Sequence, residues 1–351
     1  MMQGMHIGVI AALAAALLFG AGTPFAKLLL AHIDPWMLAA LLYLGSGAGL
    51  WLLRRVRGAP AVRLETGEWR WLAGAIVAGG IVGPVLLMLG LSAMPASGAS
   101  LLLNAEAVLT ALLAWFAFKE NFDRRIAIGM FAIVAGAVLV SWPRESNFAG
   151  VWPSLAILGA CIAWAVDNNL TRKVSLSDAS YIAMIKGLVA GATNLVLALL
   201  HGAAWPAVGP VASAAVLGFL CYGVSLVLFV VGLRNLGTAR TGAYFSVAPF
   251  FGAFLAIVFL GEPVTLQLAG AGLLMALGVM LHLTERHQHG HTHEAAAHTH
   301  DHVHAADGDV HHDHDHDEPI APGTQHAHWH QHNPISHVHR HFPDAHHRHT
   351  H

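Results

Sequence analysis

Ten apolar stretches, each near the roughly 20 residues that a helix needs to cross a bilayer, fill almost all of the first 284 residues of this chain. They run over about 5–30, 35–53, 70–91, 97–118, 125–142, 150–170, 179–200, 210–233, 241–260 and 265–284. Hydrocarbon offers no water to an unpaired backbone N–H or C=O, so such stretches are confined to helices or closed barrels. Runs of this length without strict alternation read as helices. The chain is 56% hydrophobic and 11% charged, against about 25% charged in a soluble domain. An all-α polytopic membrane protein is therefore expected. The first stretch is not read as a signal peptide, because Met1 to His6 carries no Lys or Arg and the apolar run outlasts a signal h-region.

The ten stretches are predicted to form two homologous halves. Adding 142 to the numbers of Asn104–Glu120 gives Ser246–Glu262, and Ala111, Leu113, Ala114 and Glu120 fall on Ala253, Leu255, Ala256 and Glu262 without a gap. The same offset lays Leu86, Gly90 and Leu91 on Leu228, Gly232 and Leu233, and Ala127, Gly136 and Leu139 on Ala269, Gly278 and Leu281. The halves are placed at 5–142 and 150–284, followed by a tail at 285–351. Positive charge orients them. Arg54, Arg55, Arg57, Arg63, Arg70, Lys119, Arg124, Arg125, Arg172, Lys173, Arg234, Arg240 and Arg286 all follow even-numbered stretches, and only Lys27 and Arg144 take the other phase. Both termini are thus expected in the cytoplasm, in a multi-pass plasma (inner) membrane protein. Five helices per half makes the second repeat inverted relative to the first.

Ten helices, two halves of five and a helix-ending glutamate in each half (Glu120, Glu262) resemble the drug/metabolite transporter superfamily, EamA type. The resemblance covers about residues 5–284. It extends to Phe19-Gly20 leading to Lys27, to Trp164-Ala165 leading to Arg172, and to Pro249 in the ninth stretch, whose counterpart in the fourth is Ala107. It implies a transporter rather than an enzyme, with no obligatory cofactor. Relatives of this type move amino acids, metabolites, nucleotide sugars and drugs, so it does not fix the cargo.

Four ionisable side chains fall within the stretches: Lys27, Glu106, Asp167 and Lys186. Unpaired at the bilayer centre, four charges would cost roughly 10–14 kcal/mol, so they are expected to face inward and to pair. Lys27 and Asp167 stand near enough to span ends to reach headgroups, whereas Glu106 and Lys186 are deep. Asp167, Asn168 and Asn169 are consecutive and fan over about 200° of a helix, so one neighbour cannot receive them all. With Asn104, Glu106, Lys186, Tyr222 and Ser225 they form the candidate substrate pathway, in which Glu106 or Asp167 titrates or binds a cation. The competing reading makes the amides and hydroxyls interhelical glue and the charges fixed pairs. Cys161 and Cys221 lie in apolar runs and read as buried thiols.

The tail is of another kind. Residues 285–351 hold 23 of the 27 histidines and a net −7, against +5 for the rest. With few apolar residues it is expected to be disordered. Its histidines alternate with other residues: His287, His289, His291, His293, His298, His300, His302, His304, His311, His312, His314, His316, His326, His328, His330 and His332. Imidazole is largely neutral at pH 7 and ligates borderline metals, so exchangeable nickel, cobalt, zinc or copper sites without fixed geometry are predicted. His6, His32, His201 and His282 sit only at stretch ends. The function expected is a secondary transporter whose cargo is a small metabolite or a transition-metal ion or complex. The alternative is a metal-sensing or metal-buffering membrane protein that transports nothing. The expected partners are the bilayer and the cargo; sparse basic residues at membrane borders argue against nucleic acid, and the oligomeric state stays open.

Overall fold

The computed structural model describes residues 2–62, 64, 66–118, 124–142, 150–175, 177–283, 289–293, 296–303, 325–332 and 335–339. Glu120, Arg144, His287, His304, His311, His312, His314 and His316 lie outside them. The chain divides into two compact units, Met1–Glu285 and Arg286–His351.

The first unit is helical. In order it holds α1 (Met2–Leu29), α2 (Pro35–Val56), α3 (Thr66–Ala75), α4 (Gly83–Ser92), α5 (Ala96–Leu102), α6 (Ala105–Phe118), α7 (Arg124–Ser141), α8 (Trp152–Arg172), α9 (Ala179–Leu200), α10 (Val208–Leu217), α11 (Ser225–Phe245), α12 (Ala248–Leu260) and α13 (Leu266–Leu283). Among the described residues, five helical runs are long and apolar enough to cross a membrane: Ile7–Leu29, Pro35–Val56, Gly67–Ser92, Ala179–Leu200 and Val208–Leu236. Shorter apolar helices cover Ala127–Ser141, Ala248–Leu260 and Leu266–Leu281. Phe131, Leu200 and Leu273 leave about three-quarters of their surface outside the fold (75%, 79% and 74%), while Met37, Leu42, Leu87, Leu102 and Ile157 are buried. Large apolar side chains on both the inside and the outside are what a lipid-facing bundle requires.

Two expected spans contain wide turns. π-helical segments at Ile76–Val82 and Gly218–Val224 join α3 to α4 and α10 to α11. The second lies 142 residues after the first at both ends. The expected span 97–118 is also interrupted: Leu103 and Asn104 form a turn between α5 and α6. Its counterpart at the same offset, Ser246, lies in the turn between α11 and α12. α2 packs along α9, α7 along α13 and α1 along α11. At the α2–α9 crossing a Cβ on Gly187 would strike the backbone of Gly47, so only glycine lets the helices approach this closely.

Polar termini are tied across the bundle. The Lys27 ammonium donates to Leu91 O (2.7 Å), Ser92 O (3.2 Å) and Met94 O (3.0 Å), satisfying carbonyls where α4 ends. Both carboxylate oxygens of Glu262 accept backbone N–H groups where α5 begins, from Ala96 (2.7 Å) and Ser97 (2.8 Å). Lys27 is thus a helix cap rather than a headgroup ligand.

Asp178 caps α9 by accepting from Tyr181 N at 2.9 Å, and forms an ion pair with Arg54 at 2.8 Å. Burial pushes its carboxyl upward, but hydrogen bonds from Ser180, Arg54 and Tyr181 outweigh this and hold it below the ordinary aspartate range. A lowered carboxyl pKa contributes stability above the unfolded value, about 3.9, and that contribution is lost as pH falls through the folded value. Asp178→Asn, itself a good cap, should lower stability at pH 7 by at most about 1 kcal/mol, since the pair is part-exposed. Thermal unfolding in detergent should show the gap between the two proteins closing below about pH 4.

Among its described residues the second unit holds four strands, β1 (His289–His293), β2 (Ala296–Val303), β3 (Gln325–His332) and β4 (Ile335–His339). β1 pairs antiparallel with β4 and β2 with β3. His-x-His alternation has the two-residue period of a strand.

Candidate functional site

The interrupted helix sets the site up. The turn at Leu103 and Asn104 restarts the chain as α6, which places Glu106 in a helical first turn, where backbone N–H groups favour a carboxylate. Asn168 of α8 donates its amide to Glu106 Oε1 at 2.8 Å. One residue earlier, Asp167 Oδ1 accepts from Lys186 Nζ of α9 at 2.5 Å and from Thr171 Oγ1 at 2.7 Å. Lys186 and Asp167 are only 2% and 6% exposed. Asp167 therefore does not reach the headgroups; a buried cation compensates it instead. One residue later, Asn169 donates to Ala165 O (2.9 Å) and Thr110 O (3.4 Å). The three polar neighbours thus reach Lys186, Glu106 and the backbone of two helices.

Glu106, Asp167, Asn168, Lys186, Tyr222 and Ser225 line one cavity. Asn104 and Asn169 do not. Asn104 is buried and donates to Leu101 O (3.1 Å) and Met275 Sδ (3.7 Å), so it stitches the helix turn to α13. The charge pairing is Asp167 with Lys186; among the described residues the Glu106 carboxylate meets no cation within ion-pair distance. Cys161 and Cys221 are free and buried, and Cys221 borders the cavity.

The remaining wall is aromatic. Phe19 packs on Trp164 (5.6 Å between ring centres), Tyr222 (5.9 Å) and Phe245 (5.2 Å), and Phe229 on Phe245 (4.9 Å). Gly79, in the first π segment, holds Trp164 and a further ring, Tyr43, through one carbonyl, which accepts from Tyr43 Oη (2.8 Å) and Trp164 Nε1 (2.9 Å). A π turn frees backbone carbonyls for such bonds. Gly79 also fits flush against the Asp167 carboxylate, and any Cβ there would overlap it. Tyr43 lines the cavity and Gly79 supports its wall, and neither was among the residues expected at the site. The available signal was a tyrosine hydroxyl inside an apolar run, which must find a partner, and a mid-span Gly-Gly pair.

Comparison with known proteins gives the family. The model of the EamA-like transporter family matches residues 6–142 and again residues 151–284. The chain belongs to the EamA-like transporter family. An uncharacterised transporter of Methanothermobacter thermautotrophicus is 25% identical to this EamA-like chain over 294 residues, 78% of this chain and 85% of the relative. A probable terminal-alkyne amino-acid exporter of Streptantibioticus cattleyicolor is 31% identical over 56% of this chain and 67% of its own length. A probable amino-acid metabolite efflux pump of Salmonella typhimurium is 29% identical over 52% and 66%. A protein crystal structure at 18% identity shares the EamA-like fold, with a TM-score of 0.62 over 80% of this chain and 95% of that one. This is a multi-pass membrane transporter, and the activity shared with its family is transport rather than catalysis.

Proposed function

We propose that the protein is a secondary transporter that carries a small amine-bearing metabolite, amino acids included, through the cavity at Glu106. The observation that carries this reading is a carboxylate without a cation partner among the described residues, held by Asn168 inside an aromatic wall. An organic ammonium satisfies both: it neutralises the carboxylate and sits favourably against aromatic faces. The lining of rings, hydroxyls and carboxylates, with Lys186 already paired to Asp167 and Cys221 as its one thiol, suits such a group better than a soft transition metal, which prefers several imidazole and thiolate ligands. The names of the Streptantibioticus and Salmonella relatives point to the same cargo class.

The architecture that accompanies this reading is ten membrane crossings in two inverted five-helix repeats, both termini cytoplasmic, in the plasma membrane. It is supported by the two family matches, by π segments 142 residues apart, and by helix interruptions at Asn104 and Ser246. Aspartate N-caps at Asp34 and Asp178 open α2 and α9 alike. The tail is read as a metal-binding appendage rather than a part of the pathway.

The test is counterflow in proteoliposomes holding the purified full chain, with labelled amino acids and monoamines, and nickel and zinc measured in parallel. Exchange of at least one amine-bearing compound is expected, competed by other amines. Movement of metal with no response to any amine would overturn the cargo assignment. Removing residues 287–351 should leave amine exchange in place.

A further inference from the structure

Lys186 has one N–H left over. An ammonium carries three donors, of which one goes to Asp167 Oδ1 (2.5 Å) and one to Thr171 Oγ1 (3.1 Å), both on α8. The third has no partner among the described residues, although Lys186 is buried and lines the cavity. A buried donor left without an acceptor costs free energy. Glu106 has the complementary need: its carboxylate accepts from the Asn168 amide and meets no cation among the described residues. Both needs fall in one cavity, tied to consecutive residues of α8, Asp167 and Asn168.

We infer that Lys186 selects the cargo: its third N–H donates to an oxygen of the molecule whose ammonium Glu106 holds. This rests on the amine-cargo reading above and narrows it to compounds that carry both groups. Charge decides which kind of oxygen. Among the described residues lining the cavity, Glu106 and Asp167 are negative and Lys186 is positive, which leaves one negative charge uncompensated. A monocation cancels it. A zwitterion does not, because its carboxylate restores the charge that its ammonium removes, and an uncompensated charge in a dry site is costly. Lys186 is itself compensated by Asp167, so it offers the cargo a hydrogen bond rather than a free charge, and a neutral carbonyl can accept it. The cargo class is therefore an amine with a neutral carbonyl oxygen, such as an amino-acid amide or ester, rather than a free amino acid with an uncharged side chain. Rings of the wall, Phe19, Tyr222 and Phe245 among them, suit the apolar remainder.

The experiment is counterflow in proteoliposomes holding the full chain, with leucinamide, leucine and isoamylamine as probes at about pH 6.5, where their amines are protonated. The probes share one apolar side chain and differ only in the oxygen acceptor and in net charge. Leucinamide should exchange at least about tenfold more efficiently than isoamylamine, the effect of one hydrogen bond to a charged group. It should also exchange more efficiently than leucine. Asp167→Asn combined with Lys186→Met removes the pair together, so no buried charge is left alone, and should bring leucinamide down to the level of isoamylamine. Leucine should stay disfavoured in that variant, since the pair carries no net charge. A wild type that exchanges isoamylamine as well as leucinamide would overturn the inference without any variant having to fold. So would a double variant that keeps the wild-type preference, or a wild type that exchanges leucine better than leucinamide. Exchange of no amine at all would overturn the cargo reading itself, and this inference with it.

Discussion

Replacing Asp167 with asparagine is expected to destabilise the protein by about 3–5 kcal/mol, the cost of leaving a buried charge without its partner. Lys186 is 2% exposed and its ammonium meets the Asp167 carboxylate at 2.5 Å. Asparagine can still accept from Thr171 and Lys186, so hydrogen bonding survives and the missing charge carries the loss. That loss is a large share of an ordinary stability margin of about 5–15 kcal/mol. Unfolding temperature and monodisperse yield in detergent should both fall. Asp167→Asn combined with Lys186→Met removes both charges and should recover most of the loss, because the penalty comes from the unpaired ion rather than from the absence of a pair. A double variant as unstable as the single one would mean that packing around Lys186, not charge compensation, holds α8 to α9.

The bundle was legible from sequence because a membrane leaves so few ways to arrange an apolar backbone. Length and hydropathy marked the chain as helical and multi-pass, and the run Asp167-Asn168-Asn169 marked α8 as the helix that must touch a polar interior. The interruptions were not legible. The turn at Leu103 and Asn104 and the π segment at Ile76–Val82 lie within continuous apolar sequence, and only tertiary bonds, such as those of Tyr43 and Trp164 to Gly79 O, show where helical pairing is given up. The pairing of Lys186 with Asp167, rather than with Glu106, likewise depends on which helices adjoin, which spacing within one helix does not encode. In the tail, composition excluded a core but said nothing of register; pairing of distant strands decides that.

Replacing Glu106 with glutamine is expected to abolish most transport while leaving the protein folded. Glutamine has the same length and keeps an oxygen for the Asn168 amide, which donates to Glu106 at 2.8 Å. Its position 142 residues later is Ala248, so the duplicated helix is built without an acid there in the other half. An acid present in only one repeat fits cargo or proton handling, because cargo need not obey the pseudo-symmetry of the protein. A hydrogen bond to a charged group contributes about 1.5–3 kcal/mol, so losing the carboxylate should cut exchange of an amine cargo by about ten- to a hundredfold. Asn168→Ala should have a smaller effect, since it loosens the carboxylate without discharging it. Insertion, yield and unfolding temperature of Glu106→Gln should match the wild type, which separates this variant from Asp167→Asn. Full exchange by Glu106→Gln would reduce Glu106 to a hydrogen-bonding spacer. Cargo recognition would then pass to the aromatic wall around Phe19 and Tyr222.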